Sequence, residues 1–327
     1  MTFDNTYSIG FDVGGTSLKA ALVHQGKILH TVSASTPAHA EPDVGIATMA
    51  QLIEELKSQA GDHAIVGVGM GVAGLIDGPR GYVITSPNLP RWQSVPLAEK
   101  LTALTGLPVF IDNDVRAMAM GEQAYGAGQG TQNMLCLTVG TGVGSAIIIK
   151  GEIYRGSTLT AGELGHMMVV HQGGRQCGCG NRGCLETVAG TEGILTLAQQ
   201  YLKRGLSPVL SRLLSQGQEL TPRLIYEAAI ANDAGAIAVF TEVGQWLGQT
   251  LAGVVNLLNP ERIVIGGGIA QAGDFIFEPL RTAIRLHAFE RPAQGVEVVP
   301  AALGAEAGMI GSAELAKTSQ SNEKVKA

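Results

Sequence analysis

The chain has 327 residues, enough for two domains of ordinary size. Hydrophobic residues make up 45% and charged residues only 15%, while the 45 glycines are about twice the usual share. A formal net charge of −6 argues against nucleic acid or an anionic membrane as a partner, because both reward a basic patch.

The first residues, Met1-Thr2-Phe3-Asp4-Asn5, lack the basic region and apolar run of a secretion signal, so a cytoplasmic location is expected. Ser8–Phe11 reads as a strand, followed by Asp12-Val13-Gly14-Gly15-Thr16 and a second strand, Leu18–Val23. Gln25-Gly26-Lys27 turns the chain into a third strand, Ile28–Ser33. Apolar residues at helical spacing (Ile46, Met49, Leu52, Ile53, Leu56) predict a helix over 41–59. A buried strand over 64–72 ends near Gly74; a helix over 95–105, a strand over 107–111 and a helix over 113–125 follow. The pattern then restarts. Met134–Val139, the glycine turn Gly140-Thr141-Gly142-Val143-Gly144, Ser145–Ile149 and a strand from Ile153 repeat the opening at an offset of about 126 residues. The apolar run over 135–149 is shorter than the about 18 residues of a bilayer span and is broken by three glycines. Helices are predicted over 187–206 and 222–258, a strand over 263–265 opening onto Gly266-Gly267-Gly268, a strand over 296–299 and a last helix over 305–316. From Lys317 the chain is polar and is expected to fray.

Three glycine turns therefore follow strands. Glycine lets backbone N–H groups face a phosphate without a Cβ in the way. A Rossmann site is disfavoured because both paired turns lead into strands, not helices, and no P-loop or protein-kinase signature is present. Asp112-Asn113-Asp114 lies between a strand and a helix. It reads as an N-cap, as a catalytic base at the mouth of a cleft, or as both, one acid capping while the other accepts a proton. Cys177, Cys179 and Cys184 crowd into eight residues, and with His166 they make a Cys3His set suited to a closed zinc shell. His171 is also in range. A Cys177–Cys184 disulfide is the alternative, and it would leave Cys179 odd. Cys136, inside a strand, reads as a core thiol.

Asp-x-Gly-Gly-Thr at 12–16, Ile-Asn-flanked Asp112 and Asp114, Gly-Thr-Gly-Val-Gly at 140–144, Gly-Glu-Leu-Gly-His at 162–166, the cysteine run to Leu185-Glu186, and Ile-Gly-Gly-Gly at 265–268 stand in this order. Together they resemble the ROK family of bacterial sugar kinases, over about residues 8–315. The resemblance implies an α/β, two-lobed actin/hexokinase-like ATPase fold with duplicated ribonuclease H-like lobes. The expected domains are 1–113, with a C-terminal helix at 305–317 packing back on it, and 114–304, with a flexible tail at 318–327. It implies ATP and Mg2+ at Asp12, Gly14, Gly15, Thr16, Thr141 and Gly142, with Gly266, Gly267 and Gly268 by the adenosine. Asp114 is expected as general base. Gly74, Asn88, Asn113, Asp114, Glu163, His166 and Glu186 are expected to meet a hexose, and zinc to be structural, on His166, Cys177, Cys179 and Cys184. Ser86-Pro87-Asn88-Leu89-Pro90-Arg91-Trp92 is most similar to the glucokinase branch, which makes glucose the expected substrate, with fructose, mannose, allose or an N-acetylhexosamine as alternatives. A homodimer is expected. The family includes repressors with an N-terminal DNA-binding domain, and with eleven residues before Asp12 none is expected here. A non-catalytic sugar sensor is the rival class. A metal-dependent hydrolase is third, and four ligands would leave its zinc no open position.

Overall fold

Residues 6–326 are described by a computed structural model. The chain opens with β1 (Tyr7–Val13), β2 (Ser17–His24) and β3 (Lys27–Ser35), each antiparallel to the one before. After α1 (Pro42–Gln59), β4 (Ile65–Val72) joins parallel to β1. Three short strands, β5 (Leu75–Asp77), β6 (Tyr82–Thr85) and β7 (Gln93–Val95), make a small antiparallel sheet. Then come α2 (Leu97–Thr105), β8 (Val109–Asn113), parallel to β4, and α3 (Asp114–Tyr125). The main sheet has the order β3-β2-β1-β4-β8. Ile46, Met49, Ile53 and Leu56 of α1 fall on one helical face and are buried in a core with Phe11, Val68 and Trp92.

The plan then recurs. β9 (Met134–Val139), β10 (Val143–Ile149) and β11 (Glu152–Tyr154) are followed by α4 (Glu186–Ala189), α5 (Thr191–Lys203), α6 (Pro208–Ser215), α7 (Pro222–Ile230) and α8 (Ala234–Leu258). β12 (Arg262–Gly266), α9 (Asp274–His287), α10 (Glu290–Gly295), β13 (Glu297–Pro300) and α11 (Ala307–Lys326) complete the chain. The second sheet has the order β11-β10-β9-β12-β13, with an antiparallel β10–β11 pair and β12 parallel to both its neighbours. Both sheets thus run from an antiparallel hairpin into parallel strands in the same chain order, the duplicated α/β arrangement that the restarted pattern implied.

The chain divides into two units. One takes the chain up to Thr131, Ala146–Ala161 and everything from Ala301; the other takes Gln132–Ser145 and Gly162–Pro300. In the first, α11 lies across β1 and β4 and against α3. The approach is close because Gly10 and Gly69 face it. A Cβ on either would run into the α11 backbone at Met309 or Ser312. Ser312 Oγ donates to the Phe11 carbonyl at 2.7 Å. In the second, α8 packs on α9, burying Val243, Leu247 and Leu251 with Ile276, Leu280 and Ile284.

Three helical expectations change. The stretch 222–258 is two helices bent by 118°. Asn232 takes a left-handed φ of 61°, and the Asp233 carboxylate caps α8 by accepting the Ala236 N–H at 2.9 Å. The stretch 187–206 breaks at Gly190, which is extended and starts α5 afresh. α11 runs on to Lys326 through residues read as a polar tail, because no glycine or proline follows Gly311 to stop it. Among the described residues no single helix is long and apolar enough to cross a membrane.

Candidate functional site

In the first unit, Asp12, Gly74 and Asn113 all lie at or just beyond the carboxyl ends of the parallel strands β1, β4 and β8, where open α/β sheets present their ligand sites. The Asp12–Thr16 turn is closed by the Gly14 N–H donating to the Ser17 carbonyl at 3.1 Å. A Cβ on Gly15 would stand 3.2 Å from the Asn88 side chain, so Asn88 sits directly against this turn. Asp12 is 3.4 Å from where a Gly308 Cβ would be. Burial pushes the Asp12 carboxyl above its ordinary range, against the lowering pull of Lys19. A half-buried acid that is costly to ionise alone is a suitable ligand for a cation.

Gly74, at φ 124°, turns where a side chain would collide with the Thr85 and Ser86 backbone. Its carbonyl accepts from Asn113 Nδ2 at 3.3 Å. The Asn113 side-chain oxygen in turn accepts the N–H groups of Val115 and Arg116 at 3.0 and 3.3 Å. The helix cap is therefore Asn113, neither of the two acids. Asp114 becomes the first residue of α3, in the turn where the helix dipole favours the ionised carboxylate. Asp112 is 1% exposed and faces two arginines, Arg116 and Arg155, that the sequence had not singled out.

In the second unit, Gly140–Gly144 and Gly266–Gly268 follow β9 and β12, again at carboxyl ends of parallel strands. The Gly140 carbonyl accepts from both the N–H and Oγ1 of Thr191 at 2.9 Å, while Thr141 is exposed. A Cβ on Gly142 would collide with the Glu186 carboxylate, which accepts the Val143 N–H at 3.1 Å. Beside Gly268 lies a cavity of about 560 Å³ lined by Arg223, Tyr226, Glu227, Phe240, Ile269 and Gln271 among others.

The same unit brings His166, Cys177, Cys179 and Cys184 together, with all ligand atoms within 4.8 Å of one another. His171 is exposed and outside the group. Cys177, Cys179 and Cys184 are not joined in a disulfide, so the Cys177–Cys184 alternative is not formed. Cys179 and Cys184 sulfurs are 3.7 Å apart, and Cys177 Sγ is 3.6 Å from His166 Nδ1. Tetrahedral ligands at zinc distances would stand about 3.8 Å apart for two thiolates and about 3.5 Å for a thiolate and an imidazole. The side chains are thus already spaced for such an ion. Burial pushes the Cys177 thiol up to about 12 and also raises Cys184, whereas the Asn181 backbone N–H lowers Cys179. Glu186 Oε1 lies 3.7 Å from Cys177 Sγ, so this acid touches the thiol cluster with one oxygen and the glycine turn with the other. His166 Nε2 is 4.0 Å from Glu163 Oε2. Arg175, also unanticipated, ties the thiol loop to α4 and α5 through the Thr187 carbonyl and Thr196 Oγ1.

A model of the ROK family matches residues 8–319. A glucokinase of Halalkalibacterium halodurans is 38% identical over 320 residues, 96% of each chain. A solved ROK family glucokinase from Streptomyces griseus, in complex with glucose and AMPPNP, superposes with a TM-score of 0.78 at 34% identity, covering 95% of this chain and 99% of that one. A ROK family transcriptional regulator, a homologue of the E. coli MLC protein, superposes with a TM-score of 0.86 at 28% identity over 97% of this chain and 79% of that one.

Proposed function

Since the chain belongs to the ROK family, we propose that it transfers the γ-phosphoryl group of ATP to a hexose, glucose before others, with Asp114 as general base. The reading is supported by full-length likeness to glucokinases and by an acid on the first turn of α3 with Asn113 locked beside it. In this mechanism an Asp114 oxygen takes the proton of the sugar 6-hydroxyl as the hydroxyl oxygen attacks the γ-phosphorus. Asn88, Asn113, Glu163, His166 and Glu186 hold the remaining hydroxyls. Each offers a polar atom that a missing hydroxyl would strand, at about 1–3 kcal/mol. The glycine turns at 12–16 and 140–144 offer backbone N–H groups to the phosphates, and the cavity beside Gly268 takes the adenosine. Asp12 would hold Mg2+, which would supply charge neutralisation at the phosphates. His166, Cys177, Cys179 and Cys184 would hold zinc, which would fix the His166 ring.

The test is a panel of glucose, fructose, mannose, allose and N-acetylhexosamines with ATP and Mg2+. Glucose should give the highest kcat/KM. Asp114→Asn should still bind glucose by calorimetry and lose about 10²–10⁴-fold in kcat. Near-normal turnover in that variant removes Asp114 from the mechanism, and another hexose ahead of glucose moves the protein to a different branch. The high structural likeness to a transcriptional regulator favours one second reading, a sugar sensor. Sugar binding with no turnover on any hexose would select it.

A further inference from the structure

Asp112 is the penultimate residue of β8, two residues before the proposed base, and its carboxylate is almost fully enclosed at 1% exposure. Oδ1 accepts from the Asn113 N–H at 2.8 Å and from Arg116 Nη1 at 3.2 Å. Oδ2 accepts from Arg155 Nε at 2.9 Å and Nη2 at 2.5 Å. Arg116, its side chain 5% exposed, spends its other nitrogen on the Leu159 and Ala161 carbonyls at 2.8 and 3.1 Å. The Ala161 N–H donates back to the Arg155 carbonyl at 3.0 Å, closing the 155–161 loop. Leu159 within that loop holds a left-handed φ of 62°, a conformation that a leucine keeps only when its surroundings impose it. Every one of these residues belongs to the first unit.

Two guanidiniums converge on one carboxylate, so the cluster carries surplus positive charge. An apolar contact would anchor a loop with far less desolvation, and a buried ion pair is weak evidence for stability by itself. What the network supplies is direction. Asp112 is gripped on both oxygens, and its neighbour Asn113 is in turn gripped by Gly74 and by the first N–H groups of α3. The backbone that carries Asp114 is thereby fixed from both sides.

Resting on the reading of Asp114 as base, we infer that Arg155 and Arg116 are positioning residues for phosphoryl transfer, acting through Asp112 to hold the Asn113–Asp114 turn in its productive orientation. Neither contacts the reacting atoms. Their loss lets the turn shift, and a displacement of about 1 Å at a base lowers turnover by about 100-fold.

Arg155 is the residue to vary, because its side chain is 31% exposed whereas Arg116 is enclosed. In the full-length protein with glucose, ATP and Mg2+, Arg155→Ala should lower kcat about 10- to 100-fold and leave the ATP KM within about twofold. Added ethylguanidinium, far below denaturing concentration, should restore part of that kcat, since the emptied position opens toward solvent. Arg155→Lys keeps the charge and loses the fork, so it should fold like the wild type and fall between the two in kcat. If Arg155→Ala does not fold, the Arg155→Lys kcat decides: a value equal to wild type overturns the inference. So does a fall in Arg155→Ala that matches its loss of folded protein and ignores ethylguanidinium. Wild type that turns over no hexose defeats the parent reading and this one together; active wild type with an unchanged Arg155→Ala kcat defeats this one alone.

Discussion

His166 holds its Nδ1 3.6 Å from the sulfur of Cys177. The opposite ring nitrogen lies 4.0 Å from Glu163. One imidazole therefore joins the thiol cluster to an acid proposed to meet the sugar. A metal on Nδ1 would leave the proton on Nε2, facing outward as a donor.

The ligand set can be tested by metal content. Wild type should hold about one zinc per chain, as a four-ligand structural site does. Cys179→Ala should hold almost none, raise the sugar KM and leave the ATP KM little changed, because Glu163 and Glu186 lose their shared support. Zinc kept by His166→Ala but lost from His171→Ala would overturn this set.

Gly142→Ala tests the contact between the glycine turn and Glu186. The added methyl would push the Glu186 carboxylate off the Val143 N–H and away from Cys177. Both the ATP KM and the sugar KM should rise, with the melting temperature changed by only a few degrees. A rise confined to the ATP KM would mean that Glu186 plays no part at the sugar.

Asp12→Asn should separate stability from activity. Burial raises the Asp12 carboxyl in the folded protein, so the ionised form opposes folding. Stability is then lost as pH rises from the ordinary carboxylate value through the raised one. Asparagine removes that loss. The ligand-free variant should melt higher than wild type near about pH 7 and no higher near about pH 3. Turnover should fall about 100-fold or more. A variant less stable than wild type at neutral pH would contradict the assignment.

Asp233 should behave in the opposite sense. Its burial raises the carboxyl, but Ser207 Oγ and the N–H groups of Ala236, Leu210 and Val209 outweigh that and hold it below the usual range. The stability it contributes is present above the unfolded value and is lost as pH falls through the lowered one. Asp233→Ala should cost about 1–3 kcal/mol in urea unfolding near neutral pH. The gap from wild type should narrow as pH drops below about 4. A gap that stays constant with pH would show that the ionised carboxylate is not what matters.

Much of this arrangement is legible in the sequence where chemistry and periodicity coincide. The Asp12–Thr16 turn is visible because Ile9, Phe11, Leu18, Ala20 and Leu22 alternate on either side of its glycines. The thiol loop is visible in the spacing of three cysteines. The breaks at Gly190 and Asn232 are not, because apolar residues continue at helical spacing through both and a single turn residue decides. β5, β6 and β7 escape for another reason: at three or four residues each, they carry too few positions to show a period. Nothing in the sequence marks Arg116 for burial. Its burial depends on carbonyls at Leu159 and Ala161, 43 and 45 residues further on, which no local pattern reports.

The cover that α11 provides for β1 and β4 also sets an order of assembly. Phe11 and Ser312, joined by a hydrogen bond, lie 301 residues apart. Until α11 has been made, β1 and β4 lack that cover. The second unit buries α8 against α9 without it. A chain truncated after Pro300 and released should therefore show a protease-resistant second unit and a digestible first one.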